Sequence, residues 1–336
     1  MVVLATLAHG PSAMASGPPG VTVMAVSTPD RGRALSVTLW YPAQPGGTPI
    51  LVGDNAVFAG VEGLRNAPIA DGEFPIVLIS HGGLRSASDL SGWLGARLAD
   101  QGFLVAAVHG PKLGPDDADE ALAEIWRRPT DLSTALTALA EDPVWSKHMN
   151  LERIAAVGFF LGGTSVLSLA GGRLNVDDLM RSCDGDRHGL DCVWFAANGV
   201  DLRTVDARSL ARSNLDPRIN AAIAVDPEYS TSFSAESLAG IAIPVEVINL
   251  GHPDTIPPAL NASGLGSASP QIAYTTLPDA TRFSAFSLCK PQGAAILAED
   301  GGDDAICRDG AGESREHAHQ NLAALIAARL KEWLPK

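Results

Sequence analysis

Acyl-transfer chemistry needs a nucleophile displayed at a fixed angle, a base to take its proton and donors for the charge that develops. One stretch of this sequence is shaped for the first task. Ile154 to Ser165 reads as an apolar strand, a sharp turn bounded by Gly158 and Gly162, and a helix of small residues. Glycine is needed on both sides of such a turn, because the central residue is held in a strained backbone conformation and a nearby Cβ would collide with strand or helix. The residue this turn displays is Phe160, whose ring can neither attack a carbonyl nor carry a proton. The nearest hydroxyls, Thr164 and Ser165, fall inside the following helix, where they are expected to bond to the carbonyl one turn back. Ser80, just before His81-Gly82-Gly83, is expected to alternate away from the turn.

Two carboxylates stand where an acid could orient a base. Asp226 closes the run Ala221–Val225, and Asp254 lies in Gly251-His252-Pro253-Asp254; either could equally cap a turn. Of the histidines, His81 and His109 follow strands, while His317 and His319 are two apart on the C-terminal helix and so on different faces. His252, beside Asp254, is the best substitute base by position. The cysteines fall as two local pairs, Cys183 with Cys192 and Cys289 with Cys307, in loops rich in Gly and Asp. Two disulfides suit an exported protein. A metal held by Cys183, His188 and Cys192 would lack a further ligand at a recognised spacing, and four free thiols are the bland reading. No metal and no cofactor is expected.

The bulk numbers limit the partners. With 336 residues, 46% of them apolar, the chain can build one large α/β domain or two smaller ones. Thirty-eight acidic against 24 basic residues give a formal charge of -14, which repels nucleic acid and anionic lipid. A small-molecule ligand or ester-like substrate is expected instead; oligomeric state leaves no mark. Residues 1–17, with the apolar run Val2 to Ala8 and the small residues Ala13 to Gly17, resemble a secretory signal without its basic start. This favours a periplasmic or secreted protein, the alternative being an apolar tail. No other stretch approaches the length of a membrane span.

Behind the candidate turn stand alternating elements. Strand patterns recur at Val21–Ser27, Leu35–Tyr41, Phe74–Ser80, Phe103–Val108, Arg153–Val157, Ala221–Val225, Val245–Asn249 and Ile272–Thr276. From Phe74 onward they are short continuous apolar runs, as in strands buried on both faces. Helical patterns lie at Leu90–Asp100, Leu132–Leu139, Thr164–Ala170 and His317–Leu334. The alternation predicts an α/β fold, a mostly parallel central sheet with helices on both faces. The first two strands, joined through Pro29-Asp30-Arg31-Gly32, read as an antiparallel hairpin. Residues 18–336 are expected to form one domain, with an insertion at 172–217 that is either a lid over the strand ends or a stapled surface excursion.

With these elements in place, Gly158-Phe159-Phe160-Leu161-Gly162 resembles the nucleophile elbow of the α/β-hydrolase superfamily. Val77-Leu78-Ile79-Ser80-His81-Gly82-Gly83 resembles its oxyanion strand and turn, and Trp93 to Ala107 the helix and strand that follow in dienelactone-hydrolase-like and platelet-activating-factor-acetylhydrolase-like members. Asp131-Leu132, Asp142-Pro143, Asp216-Pro217-Arg218-Ile219 and Cys289-Lys290-Pro291 continue the likeness over roughly residues 20 to 334. The resemblance implies a Ser-His-Asp triad with Phe160 at the nucleophile position and the backbone of Gly83 and Leu161 at the oxyanion hole. It implies Asp226 as the acid by analogy with acetylhydrolases, or Asp254 by analogy with dienelactone hydrolases. In the loop Leu277 to Phe286 it puts Arg282 at the histidine position, and a guanidinium cannot serve as a general base. Gly83-Leu84-Arg85-Ser86 also departs from the Gly-rich oxyanion loop. Arg282 could neutralise Asp226 or Asp254, or receive an anionic ligand.

Loss of nucleophile and base leaves, in such a mechanism, roughly a thousandfold residual acceleration over water. The expectation is therefore an ester- or lactone-hydrolase relative that is weak or inactive and binds a ligand. The alternatives are an active carboxylic-ester hydrolase with non-standard residues, or an interaction protein whose pocket Phe160 closes.

Overall fold

A computed structural model describes residues 17–28, 31–82, 89–184, 192–299, 304–309 and 314–335. The expectations for residues 1–16, for the turn residues Pro29 and Asp30, for the Gly83 oxyanion position and for His188 lie outside the described residues.

Runs such as Ile76-Val77-Leu78-Ile79 have no polar face, so both sides of the strand must be covered. The sheet that results has ten strands among the described residues. They are β1 (Gly20–Val26), β2 (Leu35–Tyr41), β3 (Thr48–Val52), β4 (Val61–Arg65), β5 (Phe74–Ser80), β6 (Leu104–His109), β7 (Met149–Phe159), β8 (Ala221–Val225), β9 (Val245–Leu250) and β10 (Ile272–Leu277). Their order is β10-β9-β8-β7-β5-β6-β2-β1-β4-β3. From β10 to β6 neighbouring strands run parallel, whereas β2 is antiparallel to both β6 and β1. The β1–β2 pairing is the predicted hairpin, Gly20 facing Tyr41 and Val26 facing Leu35.

Period-two alternation divides the core between the sheet's faces. Ile76 and Leu78 of β5 join Leu39 and Ala156 in a cluster under α2 (Ala118–Glu141) and α3 (Leu161–Leu169). Val77 and Ile79 turn the other way, to Trp93 and Leu94 of α1 (Gly92–Ala99) and to Leu322 and Ile326 of the C-terminal helix (Arg315–Trp333). Each such fully buried side chain contributes about 1.5–3 kcal/mol of transfer free energy.

A buried ionic network ties the N-terminal hairpin to α2. Arg31 Nε donates to both oxygens of Asp131 at 2.9 Å, and its Nη1 lies 2.6 Å from Glu124 Oε1. Arg128 Nε reaches Glu124 at 3.2 Å, and its Nη1 donates to the carbonyl of Gly82 at 2.7 Å. Two guanidinium groups facing two carboxylates balance their charge out of water, and the arrangement braces the turn that follows β5.

Both disulfides form as read, Cys183–Cys192 and Cys289–Cys307. Within 172–217, Leu174, Leu179, Phe195 and Leu210 join the core cluster under α2, and Arg212 donates to the Trp126 carbonyl on that helix at 3.1 Å. The described part of the insertion thus packs on the α2 side, while Phe160 belongs to the cluster on the other face. No helix among the described residues is long and apolar enough to cross a membrane.

Candidate active site

The turn between β7 and α3 has the form its glycines predict. A Cβ on Gly158 would stand 2.0 Å from the carbonyl oxygen of Gly162, and one on Gly162 would stand 2.0 Å from that of Ser80, so neither position admits a side chain. Between them Phe160 has φ 56° and ψ -122°, a conformation costing of order 1–3 kcal/mol for a residue with a bulky side chain. Backbone bonds fix it there: Phe160 N–H donates to Val225 O at 3.0 Å, and Glu228 N–H donates to Phe160 O at 3.3 Å. Leu161, buried at the first position of α3, has an N–H with no partner within the helix itself. Ser165 bonds back to Leu161 O at 2.8 Å as expected. Thr164 instead donates to Glu228 O, with Phe160 O at 3.5 Å. Neither hydroxyl is poised as a nucleophile.

Asp226 stands beside the turn at the end of β8. Its Oδ1 accepts from Asn249 Nδ2 at 2.7 Å and from Leu250 N–H at 2.9 Å, while Oδ2 is buried with no partner among the described residues. Burial pushes the carboxyl up to about 7, outweighing the two donors and the nearby Arg282 charge. Asp254 is elsewhere: its side chain is 89% exposed, 3.4 Å from an equally superficial His252. The structure brings Phe160, Leu161 and Asp226 together and leaves Asp254 and His252 at the surface.

Arg282 makes no ion pair with either aspartate. Among the described residues its guanidinium lies over the ring of Phe283, 4.5 Å from the centroid. The neutralising pair, one of the two readings of Arg282, is therefore absent, and Asp226 accepts amide donors at Oδ1 alone.

The space around Phe160 is aromatic. Its ring centroid lies 5.7 Å from that of Phe286 and 6.0 Å from that of His81, and His81 also contacts Phe159 at 4.9 Å. Trp93 and His319 stack with centroids 3.9 Å apart, their planes 2° from parallel. These side chains grip three successive carbonyls of the loop after Arg282. His81 Nε2 and Trp93 Nε1 both donate to Ala285 O, at 2.9 and 3.1 Å. His319 Nε2 donates to Phe286 O at 3.0 Å, and Arg315 Nη1 donates to Ser287 O at 3.0 Å. Each imidazole is thus the Nε2–H tautomer. Burial holds His81 down to about 4 and His319 to about 3, so both are neutral at physiological pH.

The sequence reading did not find this role for His81 and His319. A backbone carbonyl carries no residue type, and nothing in the chain marks which one a histidine will meet. Among the described residues no group of three or more His, Cys, Asp or Glu comes together as a metal site.

No protein-family model and no curated protein matches the chain. Solved structures do. A ferulic acid esterase from Streptomyces cinnamoneus superposes with a TM-score of 0.62 at 18% identity, over 97% of this chain and 92% of that one. A dienelactone hydrolase from Anabaena variabilis gives a TM-score of 0.48 at 13% identity, over 94% and 99%. The parallel sheet, the glycine-flanked turn and the likeness to the esterase together establish that the chain has the α/β-hydrolase fold.

Proposed function

We propose that this is a non-catalytic member of an ester- or lactone-hydrolase lineage, exported, that retains the fold's architecture and binds a small acidic molecule beside the former catalytic centre. One observation carries the reading: Phe160 holds the strained turn position that the resemblance gives to a nucleophile, and its ring packs against Phe286 and His81. Arg282 gives the ligand class. It lines a hollow of about 440 Å³ with Gly251, Thr255 and Thr281, and among the described residues no carboxylate neutralises it. The acyl chemistry named for the ferulic acid esterase supports the lineage, and the two disulfides support export.

The second reading, an ester hydrolase with non-standard residues, draws on Asp226, whose Oδ2 still offers an unused acceptor where a histidine would dock. Hydrolysis of p-nitrophenyl acetate and butyrate separates the two. The wild-type chain is expected to show no turnover above buffer, and the Phe160→Ser/Arg282→His variant to gain a measurable rate. Wild-type turnover abolished by Asp226→Ala would establish the second reading. A well-folded but inert double variant would count against the assignment of positions 160 and 282.

A further inference from the structure

A hollow of about 830 Å³ opens on the α1 face of the sheet, its inner end at the close of β6, two strands from the elbow strand. In register, Val23 faces Thr38 and Ser36 faces His109, so the four side chains form one floor across β1, β2 and β6. Among the described residues no helix covers this floor fully: Val23 is 65% exposed. The wall comes from β3, where Ile50 and Val52, half-buried, turn to the same face as Val61. Apolar Val23, Ile50 and Val52 beside polar Thr38, Ser36 and His109 make a mixed concave lining, and the volume lies within the range of about 300–1,000 Å³ for small-molecule pockets.

The charge around it runs against the composition of the chain. The lining holds Arg33, Arg65 and Lys112, together with Arg31, whose charge is satisfied by Glu124 and Asp131. Arg65 and Lys112 have no ionic partner among the described residues. Arg33 has only a half-exposed contact with Glu120 at 3.8 Å, a geometry worth little. The single carboxylate of the lining, Asp89, already accepts from Thr38 Oγ1 at 3.3 Å and lies 3.4 Å from His109 Nε2, which is itself 2.8 Å from Thr38 Oγ1. In a chain with 38 acidic and 24 basic residues, a hollow with an apolar wall rimmed by three available cations is a local reversal of sign, and concave walls focus such a field.

We propose that this hollow is a second binding site, for a monocarboxylate with an apolar tail: the rim cations Arg33, Arg65 and Lys112 hold the carboxylate, and Val23, Ile50 and Val52 receive the tail. The site is separate from the Arg282 hollow and does not depend on the reading given for it.

Calorimetric titration of the intact disulfide-bonded chain with octanoate, 1-octanol and octylammonium tests it. Octanoate is expected to bind at least about tenfold more tightly than the alcohol of equal length, and octylammonium not to bind. Arg65→Glu/Lys112→Glu, both at exposed positions, should weaken octanoate by about tenfold or more while leaving the thermal unfolding midpoint unchanged. Arg282→Ala should leave octanoate binding as it is. Equal affinity for octanoate and octanol, indifference to the double charge reversal, or no heat up to about 1 mM octanoate would each overturn the proposal. Loss of binding in Arg282→Ala alone would place the anion in the other hollow and overturn it as well, while supporting the reading of Arg282.

Discussion

Asp226→Asn gives the sharpest test of how this buried carboxyl is held. The native carboxyl is pushed up to about 7 by burial, from an ordinary value of 3.8. A group whose folded pKa is raised contributes stability that is present below the unfolded value and is lost as pH rises through the folded value. At about 1.36 kcal/mol per unit, keeping this carboxylate ionised in the folded state at pH 8 costs about 4 kcal/mol. Asparagine keeps the Oδ1 acceptor for Asn249 and Leu250 and cannot ionise. It places an amide nitrogen where Oδ2 now lies unpartnered, at a cost of about 1–3 kcal/mol. The variant should therefore be about 1–3 kcal/mol more stable than wild type at pH 8, and about 0.5–2.5 kcal/mol less stable at pH 4, where little of the ionisation cost remains. Guanidinium unfolding of both proteins with disulfides intact, at pH 4, 6 and 8, measures the difference. His81 and His319 titrate in both proteins and drop out of it. A stability difference that does not change with pH, or a variant weakened more at pH 8 than at pH 4, would show that the carboxylate is ionised and engaged, and the burial argument would be wrong.

The two buried histidines act with the opposite sign, since folded values near 4 and 3 lie below the ordinary 6.5 and their contribution, present above pH 6.5, fades as the solution is acidified toward those values. His319→Phe should accordingly flatten the decline in stability between pH 6.5 and 4 by about half, read from the same unfolding series. Gly162→Ala drives a Cβ to 2.0 Å from Ser80 O, where only backbone could yield; a loss above about 4 kcal/mol or no folded protein is expected. Gly264→Ala, with open space around it, serves as the control and should stay within about 0.5 kcal/mol of wild type. Arg31→Met leaves Glu124 and Asp131 buried with one guanidinium between them and should cost about 3–5 kcal/mol in thermal or denaturant unfolding.

Much of the architecture was legible because sterics and burial write it locally. All eight expected strands exist, and Gly158 and Gly162 could be read as obligatory because any larger residue meets backbone. The strands β3 and β4 were missed. Thr48–Val52 begins with Pro49 behind Thr48, and Val61–Arg65 carries Glu62, Gly63 and Arg65; both are half-exposed, so neither shows the apolar run that marked the central strands. Helix α2 extends over 24 residues instead of the eight of Leu132–Leu139, because Pro129 lies inside it and its Glu124 and Asp131 answer to Arg31, about a hundred residues away in sequence. Asp226 is buried and Asp254 exposed, a difference that adjacent residues do not encode. Arg282 was read as a partner for one of them or as an anion site, and its guanidinium lies over the ring of Phe283.

The three gripped carbonyls set a clock as well as a shape. For solvent or any solute to reach Phe160 from the side of the 282–287 loop, Ala285, Phe286 and Ser287 must release four side-chain donors together. At about 1 kcal/mol each, net, the released form is about one molecule in a thousand. Amide exchange in this segment would then be slow and correlated, as for a single cooperative unit. A reagent aimed at a serine placed at position 160 would see it only during those rare excursions, so the measured rate of such a variant would report the frequency of opening together with the strength of the nucleophile.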